Sequence, residues 1–161
     1  MNSRLKVTLA ASLVLAVIGA GMLGVRSSHN VNNSSTADFA LGKRLYGEQC
    51  ASCHGANLKG QAGWESPDAD GLLPAPPHDE TGHTWHHSDS LLFDYTKQGG
   101  QAVMAAQGID FKSGMPGFGE TLDDQQIWAI LSFIKSTWPE RHREIQSARS
   151  QADRSDGSAS E

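Results

Sequence analysis

Cysteine is scarce in this chain: two residues in 161, which excludes a disulfide-braced scaffold and a four-cysteine zinc or iron–sulfur centre. Basic side chains are also few, 13 Lys and Arg against 18 Asp and Glu, for a net charge of −5. A chain of that sign lacks the positive footprint that holds nucleic acid, so no nucleic-acid partner is expected. Aromatic residues make up 7%, so a purely side-chain core would be thin. No run alternates apolar and polar residues, which argues against strands. No fixed period recurs, which excludes a repeat array.

Long hydrophobic runs are limited to one. Val7 to Val25 is uncharged, preceded by Arg4 and Lys6 and followed by Arg26. Its 19 residues are just enough to cross a bilayer as a helix, and the slight excess of positive charge before it favours a cytoplasmic N-terminus with the remainder exported. Residues 1–26 therefore read as a membrane anchor. A cleaved signal peptide is the alternative, with Gly19-Ala20-Gly21 as a poor cleavage site. Residues 27–36 are small and polar and read as a flexible linker. Residues 37–148 form the folded domain, and residues 149–161, without apolar periodicity, are expected to be a disordered tail. Three of the basic residues lie in the first 26, leaving 10 against the 18 acids in the rest. The exported part is thus acidic and suits partners with a basic docking surface.

Three helices are expected from spacing. The first covers about Asp38–Ala51, with Leu41, Gly42, Leu45 and Tyr46 on one face. The second covers about Asp89–Gln98, with Ser88 as N-cap and Gly99 as its end. The third covers about Asp124–Thr137, opened by a capping box of Asp123 and Gln126 and carrying an apolar stripe of Ile127, Ile130, Leu131 and Ile134. Pro139 starts a short fourth helix reaching about Ser147. Residues 55–88 and 99–120 are rich in Gly and Pro and read as long loops, more loop than a compact domain holds unless something else fills its core.

Cys50-Ala51-Ser52-Cys53-His54 supplies that something. C-x-x-C-H is the attachment motif of haem c: two thiols three residues apart on a helical turn reach the two vinyl-derived carbons of one porphyrin, and the next residue presents its imidazole to the iron. A redox dithiol would belong to a strand–helix unit, which is missing. Half a zinc site would need a second Cys/His pair. A structural disulfide is the remaining alternative in an exported chain. For the sixth iron ligand, Met115 lies in the turn-forming stretch Gly114-Met115-Pro116-Gly117-Phe118, a context awkward for ordinary core. Met104, in Gln-Ala-Val-Met-Ala-Ala, reads as core or surface. The metal ligands are then His54 and Met115. A segment rich in histidine, His78, His83, His86 and His87 around Trp85, reads either as a second metal site or as Trp85 and one histidine leaning on the haem edge or its propionates.

A first helix running into CASCHG, a proline-bearing middle region, GMPGF and a last helix LDDQQIWAILSFIKSTW together resemble a class I c-type cytochrome, over roughly residues 38–138. The resemblance implies an all-α, cytochrome c-like fold of three main helices, a short C-terminal helix and long loops round one haem. It implies a crossing of first and last helices, with Gly42 and Tyr46 facing Ile130 and Phe133. It also implies a proline carbonyl on the free nitrogen of the His54 ring; Pro76 is the candidate, with Pro74 and Pro77 close behind. The function implied is one-electron transfer, not catalysis, to a respiratory oxidase or reductase. The alternatives are a haem enzyme of peroxidase type, in which Met115 would dissociate, and a metal-binding module using residues 78–87.

Overall fold

Gly42 determines how the first and last core helices meet. In the computed structural model, which describes residues 30–158, α1 (Asn30–Gln49) passes so close to the helix Asp124–Ser136 that a Cβ on Gly42 would stand 2.0 Å from the Ala129 carbonyl oxygen and 3.1 Å from Phe133 Cβ. Only a residue without a side chain permits that approach. Beside it, the buried Tyr46 ring packs against Phe133 with centroids 5.4 Å apart, and Phe39 meets Phe133 edge-on.

The other elements follow in order: α2 (Ala51–His54), a 3-10 turn (Thr84–His86), α3 (Asp89–Gln98), α4 (Gly100–Ala106), α5 (Asp124–Ser136) and α6 (Glu140–Ser158). Among the described residues every regular element is helical, as the expected all-α fold requires. The chain divides into two units, residues 1–33 and 34–161. The first lies outside the described residues except for the start of α1, and with it lies the expected membrane anchor at 1–26. None of the described helices is long and apolar enough to cross a membrane.

Helix α5 is the centre of the core. Ile127, Ile130, Leu131, Phe133 and Ile134 are buried, and Leu45, Tyr46, Leu122 and Trp138 close round them. The expected capping box is present: the Asp123 carboxylate accepts from the Gln126 N–H, and the Gln126 side chain accepts from the Asp123 N–H. Ser88 caps α3 as expected, its side chain accepting from Leu91 N–H.

Three expectations need correction. The stretch 30–36, expected as part of a flexible linker, is helical and continuous with α1. It contains neither Gly nor Pro, and extending an existing helix carries no nucleation cost. Residues 100–106, expected as loop, form α4, whose buried residues are only Gly100 and Val103; so short a helix with one apolar anchor leaves no period to read. The tail from residue 149, expected to be disordered, continues α6 to Ser158. Its inward face is polar: Gln146 and Ser150 are buried. Gln146 Nε2 donates to the Asp89 carboxylate at 2.7 Å, the His87 carbonyl at 3.2 Å and Ser150 Oγ at 3.0 Å, while Ser150 Oγ accepts from Asp89 N–H at 2.9 Å. A helix attached through amides and hydroxyls shows no hydrophobic stripe.

Asp89 ties this seam to the core. Lys135 on α5 donates to its carboxylate at 2.6 Å. Burial pushes the Asp89 carboxyl up, but the bonds from Lys135 and Gln146 outweigh it and hold the group below its ordinary value. A carboxyl depressed by folding stabilises the fold above the ordinary carboxylate range, and that contribution is lost as pH falls through the depressed value. Asp89→Asn should therefore cost about 1–3 kcal/mol at neutral pH. Urea unfolding followed from pH 7 towards acid should show a smaller loss of stability in the variant than in the wild type.

Candidate haem site

The C-x-x-C-H segment falls where α1 ends. Cys50 N–H still bonds back to the Tyr46 carbonyl at 2.9 Å, and His54 N–H to the Cys50 carbonyl at 2.9 Å, so Cys50 begins a new short turn, α2, that carries Cys53 and His54. The turn stops at Gly55, with φ of 79°, and the Tyr46 hydroxyl donates to the Gly55 carbonyl at 2.9 Å. The buried face of α1 thus fixes the far end of the motif as well as the near one.

The two thiols are free rather than joined to each other. Cys53 is exposed and Cys50 half-buried. Burial, and secondarily the neighbouring Cys53, push the Cys50 thiol up to about 11. His54 is buried. Burial lowers its pKa, against the opposing effect of the Pro76 carbonyl, so the ring is neutral and fit to ligate.

Its Nδ1 lies 2.9 Å from the Pro76 carbonyl oxygen. A carbonyl only accepts, so Nδ1 carries the proton and Nε2 keeps the lone pair. The loop geometry that places Pro76 there depends on a second close approach. A Cβ on Gly60 (φ 63°) would lie 2.6 Å from the Ala75 oxygen, the Pro76 carbon and the Pro77 nitrogen. Around it, Gly60 N–H bonds to the His54 carbonyl at 2.8 Å, Gln61 N–H to the Ala75 carbonyl at 2.9 Å, and His78 N–H to the Leu58 carbonyl at 2.7 Å. Residues 58–61 and 75–78 form one hydrogen-bonded clasp under the His54 ring.

Sequence reading assigned His78 to the histidine-rich segment and missed its position. Its ring stacks on that of His54, centroids 4.0 Å apart and planes 21° apart. The remaining histidines disperse: His83 stacks on Trp64, His87 meets His83 edge-on, and His86 lies against Trp85. Among the described residues no three His, Cys, Asp or Glu side chains converge to hold a metal ion. This corrects the expectation of a second metal site in residues 78–87: the imidazoles spread over contacts with His54, Trp64 and Trp85, and His83 and His87 meet as a pair without a third ligand.

Trp85 packs against the core and against His142 on α6, centroids 4.3 Å apart. Its Nε1 is buried without a hydrogen-bond partner among the described residues. Met115 is half-buried in a loop held by its backbone. The Met115 carbonyl accepts from Gly100 N–H at 3.2 Å, its N–H donates to Ser113 Oγ at 3.2 Å, and Phe118 N–H bonds to the Thr96 carbonyl at 2.9 Å.

The donor set suits haem c: two unpaired thiols, a neutral imidazole with one nitrogen committed and one free, and an orphaned indole N–H of the kind a carboxylate accepts. All of these lie within an all-helical domain whose first and last core helices cross at a glycine, the arrangement of a small haem-c protein. The family model for cytochrome c matches residues 39–138, and the chain belongs to the cytochrome c family. That family is in general one of electron-transfer proteins, and its domain implies haem c. No curated protein and no solved structure matches the chain significantly.

Proposed function

We propose that the chain is a one-electron carrier of the class I kind, working outside the cytoplasm. The observation that carries this reading is the His54 ring, held neutral and with Nδ1 committed to the Pro76 carbonyl at 2.9 Å, on the same turn as two free thiols. Haem c, when bound, supplies reversible one-electron chemistry at iron. Cys50 and Cys53 would hold it by thioether bonds, which would prevent its loss outside the cell. His54 offers Nε2 to the iron, and the bond to Pro76 raises the basicity of that ring. Met115 would offer its thioether as the second protein ligand, and a soft sulfur would favour the ferrous state and raise the potential relative to two imidazoles. Two protein ligands, His54 and Met115, would leave no open site for oxygen or peroxide, which favours transfer over catalysis. Trp85 offers its unpaired N–H to a propionate.

Residues 1–26 support a tether to the membrane, with the domain on its outer side, in the periplasm of a bacterium with two membranes. The acid excess of the remaining chain supports a partner with a basic docking surface, a respiratory oxidase or reductase among them, with rates that fall as salt rises. Purified holoprotein should give a c-type pyridine haemochrome and, when oxidised, the sulfur-to-iron charge-transfer band in the far red. Met115→Ala should lose that band and lower the potential. A band that survives the substitution would give the ligand role to another residue, and a blank haemochrome would remove the reading altogether.

A further inference from the structure

We propose that His78 is the positioning residue for His54: an imidazole laid flat against the ligand ring that sets the ring's rotation about its Cβ–Cγ bond. The inference rests on the reading of His54 as an iron ligand. The bond to Pro76 fixes the location of one ring atom. It restrains the rotation about Cβ–Cγ only loosely: turning the ring carries Nδ1 along a short arc that a hydrogen bond tolerates, and the terminal torsion of histidine is broad and gives little resistance of its own. A flat neighbour 4.0 Å away and nearly parallel closes that freedom.

His78 can do this because it is itself immobilised from four directions. Its backbone N–H donates to the Leu58 carbonyl at 2.7 Å. Its carbonyl accepts from the buried Trp138 Nε1 at 2.7 Å. Its Nδ1 lies 2.9 Å from Thr84 Oγ1. Its ring meets the edge of Tyr46 at 6.2 Å. These contacts lead to α1, to the residues just beyond α5 and to the 3-10 turn, so the stack is referred to the rigid core rather than to a loop. Pro76 and His78 are two residues apart in one segment. That segment therefore supplies both restraints: a hydrogen bond in the plane of the His54 ring and a surface against its face. When haem c is bound, the orientation of its imidazole ligand would govern the electronic anisotropy of the ferric iron, so His78 would act on that centre only through His54.

Proton NMR of the ferrous, haem-loaded wild type provides a test that needs no mutation. Nuclear Overhauser contacts between the ring protons of His54 and His78 are expected, and their absence from loaded protein would overturn the inference while leaving the proposed function standing. In the ferric state, His78→Phe keeps a flat ring and should preserve the wild-type g-values and the spread of haem methyl shifts, whereas His78→Leu should change both. A folded, loaded His78→Leu protein with wild-type g-values and methyl shifts would sink the proposal. If that variant does not fold, the Overhauser contacts in the wild type decide. If the wild type carries no haem, the proposed function fails and this inference falls with it.

Discussion

His54→Ala, and equally the double variant Cys50→Ser with Cys53→Ser, should leave little folded protein. Among the described residues only twelve hydrophobic side chains are buried, six of them on α5 alone. That is a small core for a domain of this length, and small cores leave little margin of stability. The segments on either side of the motif depend on it directly. The 58–61 and 75–78 clasp closes under the His54 ring, and His78 has that ring as its stacking partner. Removing the imidazole deletes the donor to the Pro76 carbonyl and opens a hole beside the half-buried His78. Loss of an aromatic-sized group from a packed site costs about 3–5 kcal/mol before any cofactor is considered. A ligand that binds only the folded state adds its own binding free energy to stability, and a covalently held one cannot be recovered by mass action once the thiols are gone. Thermal unfolding followed by circular dichroism, alongside pyridine haemochrome, provides the check. A cooperative, wild-type-like melt in haem-free material would contradict the argument.

The parts of the molecule that were legible in sequence are those whose signal is local. C-x-x-C-H is five consecutive residues. The α5 stripe and its capping box are set by spacing within four residues, and the end of α3 at Gly99 is a single backbone choice, with φ of 88°. The unread parts depend on groups far apart in the chain. The stack of His78 on His54 brings together residues 24 positions apart, and nothing in the local pattern distinguishes His78 from His83, His86 or His87. Three prolines stood as candidates for the His54 ring, and the structure places the Pro76 carbonyl there through the close approach of Gly60, a contact with no periodicity. The length of α6 was hidden for a different reason. Hydrophobic periodicity sees apolar burial, while α6 is attached through Gln146, Ser150 and the Asp89 carboxylate.

Gly42 and Gly47 lie on the same helix five residues apart, and replacing each should have opposite effects. At Gly47 an added Cβ meets nothing within 4 Å. Gly47→Ala removes only the backbone entropy that glycine loses in a helix and should stabilise the protein by up to about 1 kcal/mol. At Gly42 the same change puts a carbon 2.0 Å from the Ala129 carbonyl oxygen and 2.5 Å from its carbon. These are backbone atoms in the middle of α5, so no rotamer change can relieve the overlap. Either α1 and α5 separate or the crossing angle alters. Overpacking of a core typically costs about 1–3 kcal/mol, and a clash against helix backbone belongs at or beyond the top of that range for alanine, with valine worse. The separation would propagate: Tyr46 packs on Phe133 and donates to the Gly55 carbonyl, so moving α1 off α5 displaces the turn that carries Cys50, Cys53 and His54. Gly42→Val should therefore lower both the urea midpoint and the yield of haem-loaded protein, while Gly47→Ala raises the midpoint and leaves the haem spectrum unchanged. Equal urea midpoints for Gly42→Ala and Gly47→Ala would show that the helices do not cross at Gly42, because the same propensity gain alone would then act at both positions.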